Sequence, residues 1–136
     1  MVAASGNTAS AYRKAQLEGS SPEQILLYLM EAAIRHTKKA RSHAEQEEFP
    51  RALEEATNAL NIVTELDNTL DRENGGEIVD ELEALYAFVS REIIQANKDR
   101  EYYRLEGVED VLQTLYQGWK DAVDEVQQGQ PAATGA

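Results

Sequence analysis

The 136-residue chain carries 25 acidic against 13 basic residues, a formal charge of −12 at pH 7 that repels phosphate backbones and anionic lipid surfaces, so no nucleic-acid partner is expected. Cysteine is absent, which removes disulfides, thiolate zinc sites and thiol nucleophiles and suits a reducing cytosol. The length is enough for one packed core, and the longest apolar run, Ile25 to Met30, falls far short of the roughly 20 residues that cross a bilayer, so no membrane insertion is expected.

Residues 1–10 are small and polar, with neither the basic start nor the apolar stretch of a signal peptide, and are expected to be a flexible N-terminus. Tyr12 and Leu17 fall on a short helical arm ahead of Ser21. Residues 11–127 are expected to form a single helical domain, and residues 128–136, which have nothing to bury, a disordered tail.

The first long helix announces itself at Ser21-Pro22-Glu23-Gln24, where Ser21 and Gln24 suit a reciprocal cap and Pro22 takes the first helical position without losing a needed amide. Leu26, Leu29, Ala33, Ala40 and Ala44 share one face to about Glu47, and Pro50 disfavours helix at Phe49. The six consecutive apolar residues Ile25 to Met30 wrap every side of this helix, more than a bundle stripe needs.

The second helix is read from Pro50 to about Arg72, with Leu53, Ala56, Leu60, Val63 and Leu70 on its stripe and Ala59, Ile62 and Leu66 beside it. It is expected to stop at Asn74-Gly75-Gly76, where glycine supplies a left-handed cap. The third, about Glu77 to Asn97, places Ile78, Leu82, Leu85, Val89, Ile93 and Ala96 in register and leaves Val79, Tyr86, Phe88 and Ile94 outside. The fourth begins near Arg100 to Tyr102 and carries Val108, Val111, Leu112, Leu115, Trp119 and Val126 to about Gln127. Gly107 and Gly118 each weaken it by up to about 1 kcal/mol relative to Ala, so a bend is expected there. Four such segments on short connections predict an all-α, antiparallel up-down four-helix bundle with a short N-terminal helical arm.

Signatures of chemistry are missing. Bundle metal sites use Glu-x-x-His, but Ala33 and Ala40 stand three residues before His36 and His43. No Gly-rich phosphate loop, nucleophile elbow or zinc pattern occurs, and the many carboxylates sit where exposed helix faces want charge. No cofactor, metal or enzymatic activity is expected. The one basic cluster, Arg35, Lys38, Lys39 and Arg41, lacks aromatic interleaving, which does not suit nucleic acid.

Particular residues carry a resemblance. Ala11-Tyr12-Arg13-Lys14-Ala15-Gln16-Leu17, Ser21-Pro22-Glu23, Ile25 to Leu29 with Ala33-Ile34, Gly75-Gly76-Glu77-Ile78, Leu82, Leu85-Tyr86, Ala96-Asn97 and Trp119 occur in the order of the flagellin export chaperone family, which the chain resembles from Ala11 to Val126. Where that family commonly has Tyr-Asp-Gly in the first helix, this chain has Met30-Glu31-Ala32. The resemblance implies a cytoplasmic four-helix bundle that binds the C-terminal segment of flagellin, prevents premature polymerisation and delivers it to the flagellar export apparatus, without ATP or metal.

Combined with the surplus of apolar surface, this assigns Ile25, Leu29, Ile62, Leu66, Tyr86, Phe88 and Ile94 to a guest-facing surface and Tyr12 and Leu17 to the arm beside it. A rival reading is a self-associating structural or adaptor bundle without a flagellin client, whose extra apolar face makes a homodimer. A weak homodimer is also compatible with the chaperone reading.

Overall fold

The computed structural model describes Gly19 and residues 21–129; the expected flexible N-terminus, the Tyr12 and Leu17 arm and the tail beyond residue 129 lie outside the described residues. The described residues form helices joined by turns and short irregular links, with no strand among them. Helix α1 spans Pro22–Glu45, α2 Phe49–Asn68, α3 Gly76–Asp99 and α4 Leu105–Gln127, with a 3-10 turn at Tyr102–Arg104 leading into α4.

Local chemistry sets most of the boundaries. The expected reciprocal cap opens α1: Gln24 N–H donates to Ser21 Oγ at 3.2 Å, and Ser21 N–H donates to Gln24 Oε1 at 3.3 Å. Helix α2 starts one residue earlier than expected, at Phe49, because Pro50 sits in the first turn, where its missing amide would have had no helical acceptor. The Phe49 ring is held by stacking on Tyr102, centroids 6.4 Å apart, and by the Arg100 guanidinium 4.4 Å from its centroid.

Two expectations about helix ends are corrected. Helix α2 closes at Asn68 rather than near Arg72, with the Thr69 hydroxyl donating to the Leu66 carbonyl at 2.6 Å, so Leu70 lies beyond it. The left-handed glycine Gly76, φ 61°, therefore stands at the start of α3 instead of capping α2. Helix α3 is closed by Arg100, itself left-handed at φ 55°. Helix α4 is continuous through Gly107 and Gly118.

Each helix packs on its chain neighbours, and α1 closes the ring against α4; among the described residues α1 does not meet α3, nor α2 meet α4. Three links between α1 and α4 fix their register: Trp119 Nε1 donates to the Glu23 carbonyl at 3.3 Å, the Tyr116 hydroxyl donates to Glu31 at 2.6 Å, and Arg41 pairs with Glu109. The numbers rise along α1 as they fall along α4. His43 with Glu48 and His36 with Glu55 likewise join α1 to α2 in opposing order.

Leu29, Ala33, Ala40, Ala52, Ala56, Ala59, Ile62, Val63, Leu66, Val89, Ile93, Leu105, Val108 and Leu112 form the heart of the core. The buried faces of α1 and α2 are rich in alanine, whose short side chains let backbones lie close, and this pair makes the most extensive contact in the bundle. On α2, Ala56 and Val63 of the expected stripe point inward together with Ala52, Ala59, Ile62 and Leu66, whereas Leu53 is left exposed. On α3, Val89, Ile93 and Ala96 of the expected stripe are buried, but Val79 and Tyr86 join them and Ile78 is exposed; Val126 near the end of α4 is also exposed.

Candidate functional site

Leu53, Thr57, Leu60 and Thr64 recur at intervals of four, three and four, which places them on one face of α2. On α3, Ala87, Ser90, Ile94 and Asn97 follow the same kind of spacing. The two faces meet where Asn97 Nδ2 donates to Thr57 Oγ1 at 3.4 Å, so together they form an open, shallow surface along the α2–α3 seam. Leu53 is 48% exposed and Ile94 53%, with Leu60 half-buried between the helices' outer edges.

The threonine hydroxyls on this face do not compete for a partner. Thr57 Oγ1 donates to the Leu53 carbonyl at 2.7 Å and Thr64 Oγ1 to the Leu60 carbonyl at 3.0 Å, each satisfied by its own helix. A face of Leu, Ile, Ala and self-satisfied Thr loses little by desolvation, which suits it to contact with the apolar side of another helix. Phe88, 37% exposed, lies on the opposite shoulder of α3, six residues before Ile94.

The residues expected to face a guest divide sharply. Phe88 and Ile94 are exposed, as that expectation requires. Ile25, Leu29, Ile62, Leu66 and Tyr86 are placed in the interior, and so offer no surface in this arrangement. The reason is phase: the alanine contact between α1 and α2 draws Ile62 and Leu66 under the seam, and α3 follows by burying Tyr86. Tyr12 and Leu17 lie outside the described residues. Leu53, expected in the core, is exposed, whereas Leu60 does pack against the core with one side; Thr57 and Thr64 are not among the residues expected on this face. The regular spacing of two leucines and two threonines was the available signal.

The electrostatic surroundings are structural. Burial, with the Asp67 carboxylate adding to it, pushes the Tyr86 phenol up to about 12. The hydrogen bond to Arg104 holds the Glu101 carboxyl below its ordinary value, and the same guanidinium reaches Glu92 at 3.2 Å. Both histidines are engaged by carboxylates rather than displayed on a solvated face: His36 Nδ1 lies 2.6 Å from Glu55 and is buried, and His43 Nδ1 lies 2.8 Å from Glu48. The His43 contact holds the Glu48 carboxyl below its usual value. Among the described residues no group of three or more His, Asp or Glu side chains is arranged to hold a metal ion. No helix among them is long and apolar enough to cross a membrane.

Comparison with known proteins places the chain among named relatives. The family model described as Flagellar protein FliS matches residues 5–126. The chain is 33% identical over 125 residues to the flagellar secretion chaperone FliS of Salmonella typhimurium, covering 88% of this chain and 91% of that protein. It is 31% identical over 113 residues to the flagellar secretion chaperone FliS of Vibrio cholerae, covering 80% of this chain and 83% of that protein. A third relative, the flagellar secretion chaperone FliSB of Pseudomonas aeruginosa, is 27% identical over 106 residues, 78% of this chain and 84% of its own.

Proposed function

The chain belongs to the FliS family of flagellar secretion chaperones, which is not a class of enzymes, and we propose that it holds the C-terminal segment of flagellin in the cytosol, prevents premature polymerisation and passes the subunit to the flagellar export apparatus. The observation that carries this reading is the α2–α3 face, where Leu53 and Ile94 present apolar surface beside a half-buried Leu60 and threonine hydroxyls already satisfied within their own helix. A segment that is unfolded before assembly and helical afterwards needs its apolar face covered in between, and folding on a bundle surface supplies that cover. A guest laid across the outside of α3 meets Ile94 on one shoulder and Phe88 on the other.

Covering three or four half-exposed apolar side chains contributes on the order of 1 kcal/mol each, offset by the ordering of the guest, so binding needs several turns of contact. Release then requires only that the export machinery compete for the same segment. No covalent step or nucleotide enters this mechanism.

Isothermal titration calorimetry with full-length flagellin and with flagellin lacking its C-terminal segment tests the proposal. Binding is expected only to the full-length protein; equal affinity for both would reject the C-terminal segment as the guest. Light scattering in the same samples addresses the rival reading, because a tight dimer that ignores flagellin would assign the exposed face to self-association.

A further inference from the structure

Across the bundle from the α2–α3 seam, an open groove of about 590 Å³ runs between α1 and α4. Arg35, Lys38 and Lys39 form its α1 rim, Ile34 and Tyr116 contribute apolar lining, and Gln113 and Gln117 supply neutral amides from α4. All three cations are exposed, and among the described residues none is within ion-pair distance of an acid. Glu31, the one acid lining the groove, accepts the Tyr116 hydroxyl, an interaction that also raises the Tyr116 phenol above its ordinary value.

Three unpaired cations side by side are out of keeping with a chain of net charge −12, where a carboxylate would be the ordinary neighbour. Their spacing, i, i+3 and i+4, puts them on adjoining turns of α1, facing a wall whose one lining acid is the occupied Glu31, with the neighbouring Asp121 accepting from Gln117 Nε2 at 2.8 Å. We propose that this groove docks an acidic amphipathic helix of a second protein. The partner's glutamates or aspartates meet Arg35, Lys38 and Lys39 while one apolar side chain packs over Ile34 and Tyr116. Nucleic acid fits less well, since three cations are few and the remaining surface repels phosphate. Because the groove and the α2–α3 seam lie on opposite sides of the ring of helices, one bundle can carry a guest and a second protein together.

The full chain is titrated into a fluorescein-labelled peptide of about four helical turns, with leucine every third or fourth position and glutamate elsewhere. Anisotropy gives the affinity, and backbone amide shifts locate the contact. The expected result is a shift of amides around Lys38, Gln113 and Tyr116, with affinity lowered about tenfold by K38E/K39E and lowered in the same direction by the milder K38Q/K39Q. A peptide with glutamine in place of glutamate should bind correspondingly more weakly. Unchanged affinity in variants that keep their helicity, equal binding of the glutamine peptide, or shifts confined to another face would overturn the proposal. Tighter binding of a DNA duplex than of the acidic peptide would reassign the groove to nucleic acid.

Discussion

The Arg41 guanidinium meets the carboxylate of Glu109 across the α1–α4 interface, and Glu109 is only 6% exposed. This pair secures the part of α1 that follows the basic groove to the beginning of α4. Removing the cation leaves a buried carboxylate uncompensated, a loss that reaches roughly 3–5 kcal/mol at fully buried sites. Since the Arg41 side chain is itself about a third exposed, R41A is expected to cost about 2 kcal/mol. Urea denaturation should show a lower midpoint at unchanged slope, and adding E109Q to R41A should recover part of the loss. Equal stability of R41A and the native chain would remove the pair from the account of the interface.

Ile94 and Ile62 separate guest contact from core packing. Ile94→Asp lies on the exposed shoulder of α3 and should keep its helicity and melt within about 0.5 kcal/mol of the native chain, while flagellin binding weakens several-fold. Ile62, 2% exposed, sits in the core, and Ile62→Asp should unfold the chain or cost more than about 4 kcal/mol. Circular dichroism and calorimetry on the two variants check both halves. A well-folded Ile62→Asp would show that α2 is not packed in the phase described.

Gly75 is required for space rather than for an unusual dihedral angle. A Cβ at this position would overlap Val79 Cγ2 and lie 2.7 Å from the Asp71 carbonyl oxygen. Since Val79 is itself buried, G75A should lower stability by about 1–3 kcal/mol through displacement of the α2–α3 turn. At Gly76 the Cβ would meet open space, but φ is 61°, so G76A should cost a comparable 1–2 kcal/mol, roughly, from backbone strain alone. Thermal melts of the two variants, and of each combined with Val79→Ala, distinguish the causes, because shortening Val79 removes the Cγ2 overlap and so part of the G75A loss, leaving the Asp71 carbonyl contact, and does nothing for G76A.

Alkaline pH should loosen the α3 contacts through Tyr86. Its phenol is pushed up to about 12, chiefly by burial, against 10 in an unfolded chain, so the native state keeps a proton that the unfolded state has already lost. The associated stability is complete below pH 10 and is lost as pH rises from about 10 to about 12, on the order of 2–3 kcal/mol in all. Absorbance at the tyrosinate band should show a component titrating near pH 12 that is missing in Tyr86→Phe, and urea titrations should show a shallower alkaline loss for that variant. A spectrum in which every phenol ionises together near the ordinary value would contradict the burial of this ring.

Helix positions and the family were legible in the chain because both rest on short-range chemistry. Ser21 and Gln24 cap α1 through contacts three residues apart, and the succession from Ser21-Pro22-Glu23 through Gly75-Gly76-Glu77 to Trp119 carries a resemblance independent of packing. The facing was legible in part: Ala33, Val63, Val89, Ile93 and Leu112 face the core as expected, but Leu53 and Ile78 do not. Where an apolar arc is as broad as those of α2 and α3, several phases bury similar numbers of side chains, and the choice falls to how closely the neighbour can approach.

Alanines at 52, 56 and 59 let α2 settle against α1, which sent Ile62 and Leu66 inward and brought Leu53 to the surface. The basic groove has the same origin: Arg35, Lys38 and Lys39 are one cluster in the sequence, but Gln113 and Tyr116 stand opposite them only because α4 returns beside α1. By itself the sequence determined where this chain becomes helical and which relatives it has, since capping and residue order act locally. Which side chains are left for another protein to touch was decided by the tertiary structure, because exposure depends on neighbours that lie far away along the chain.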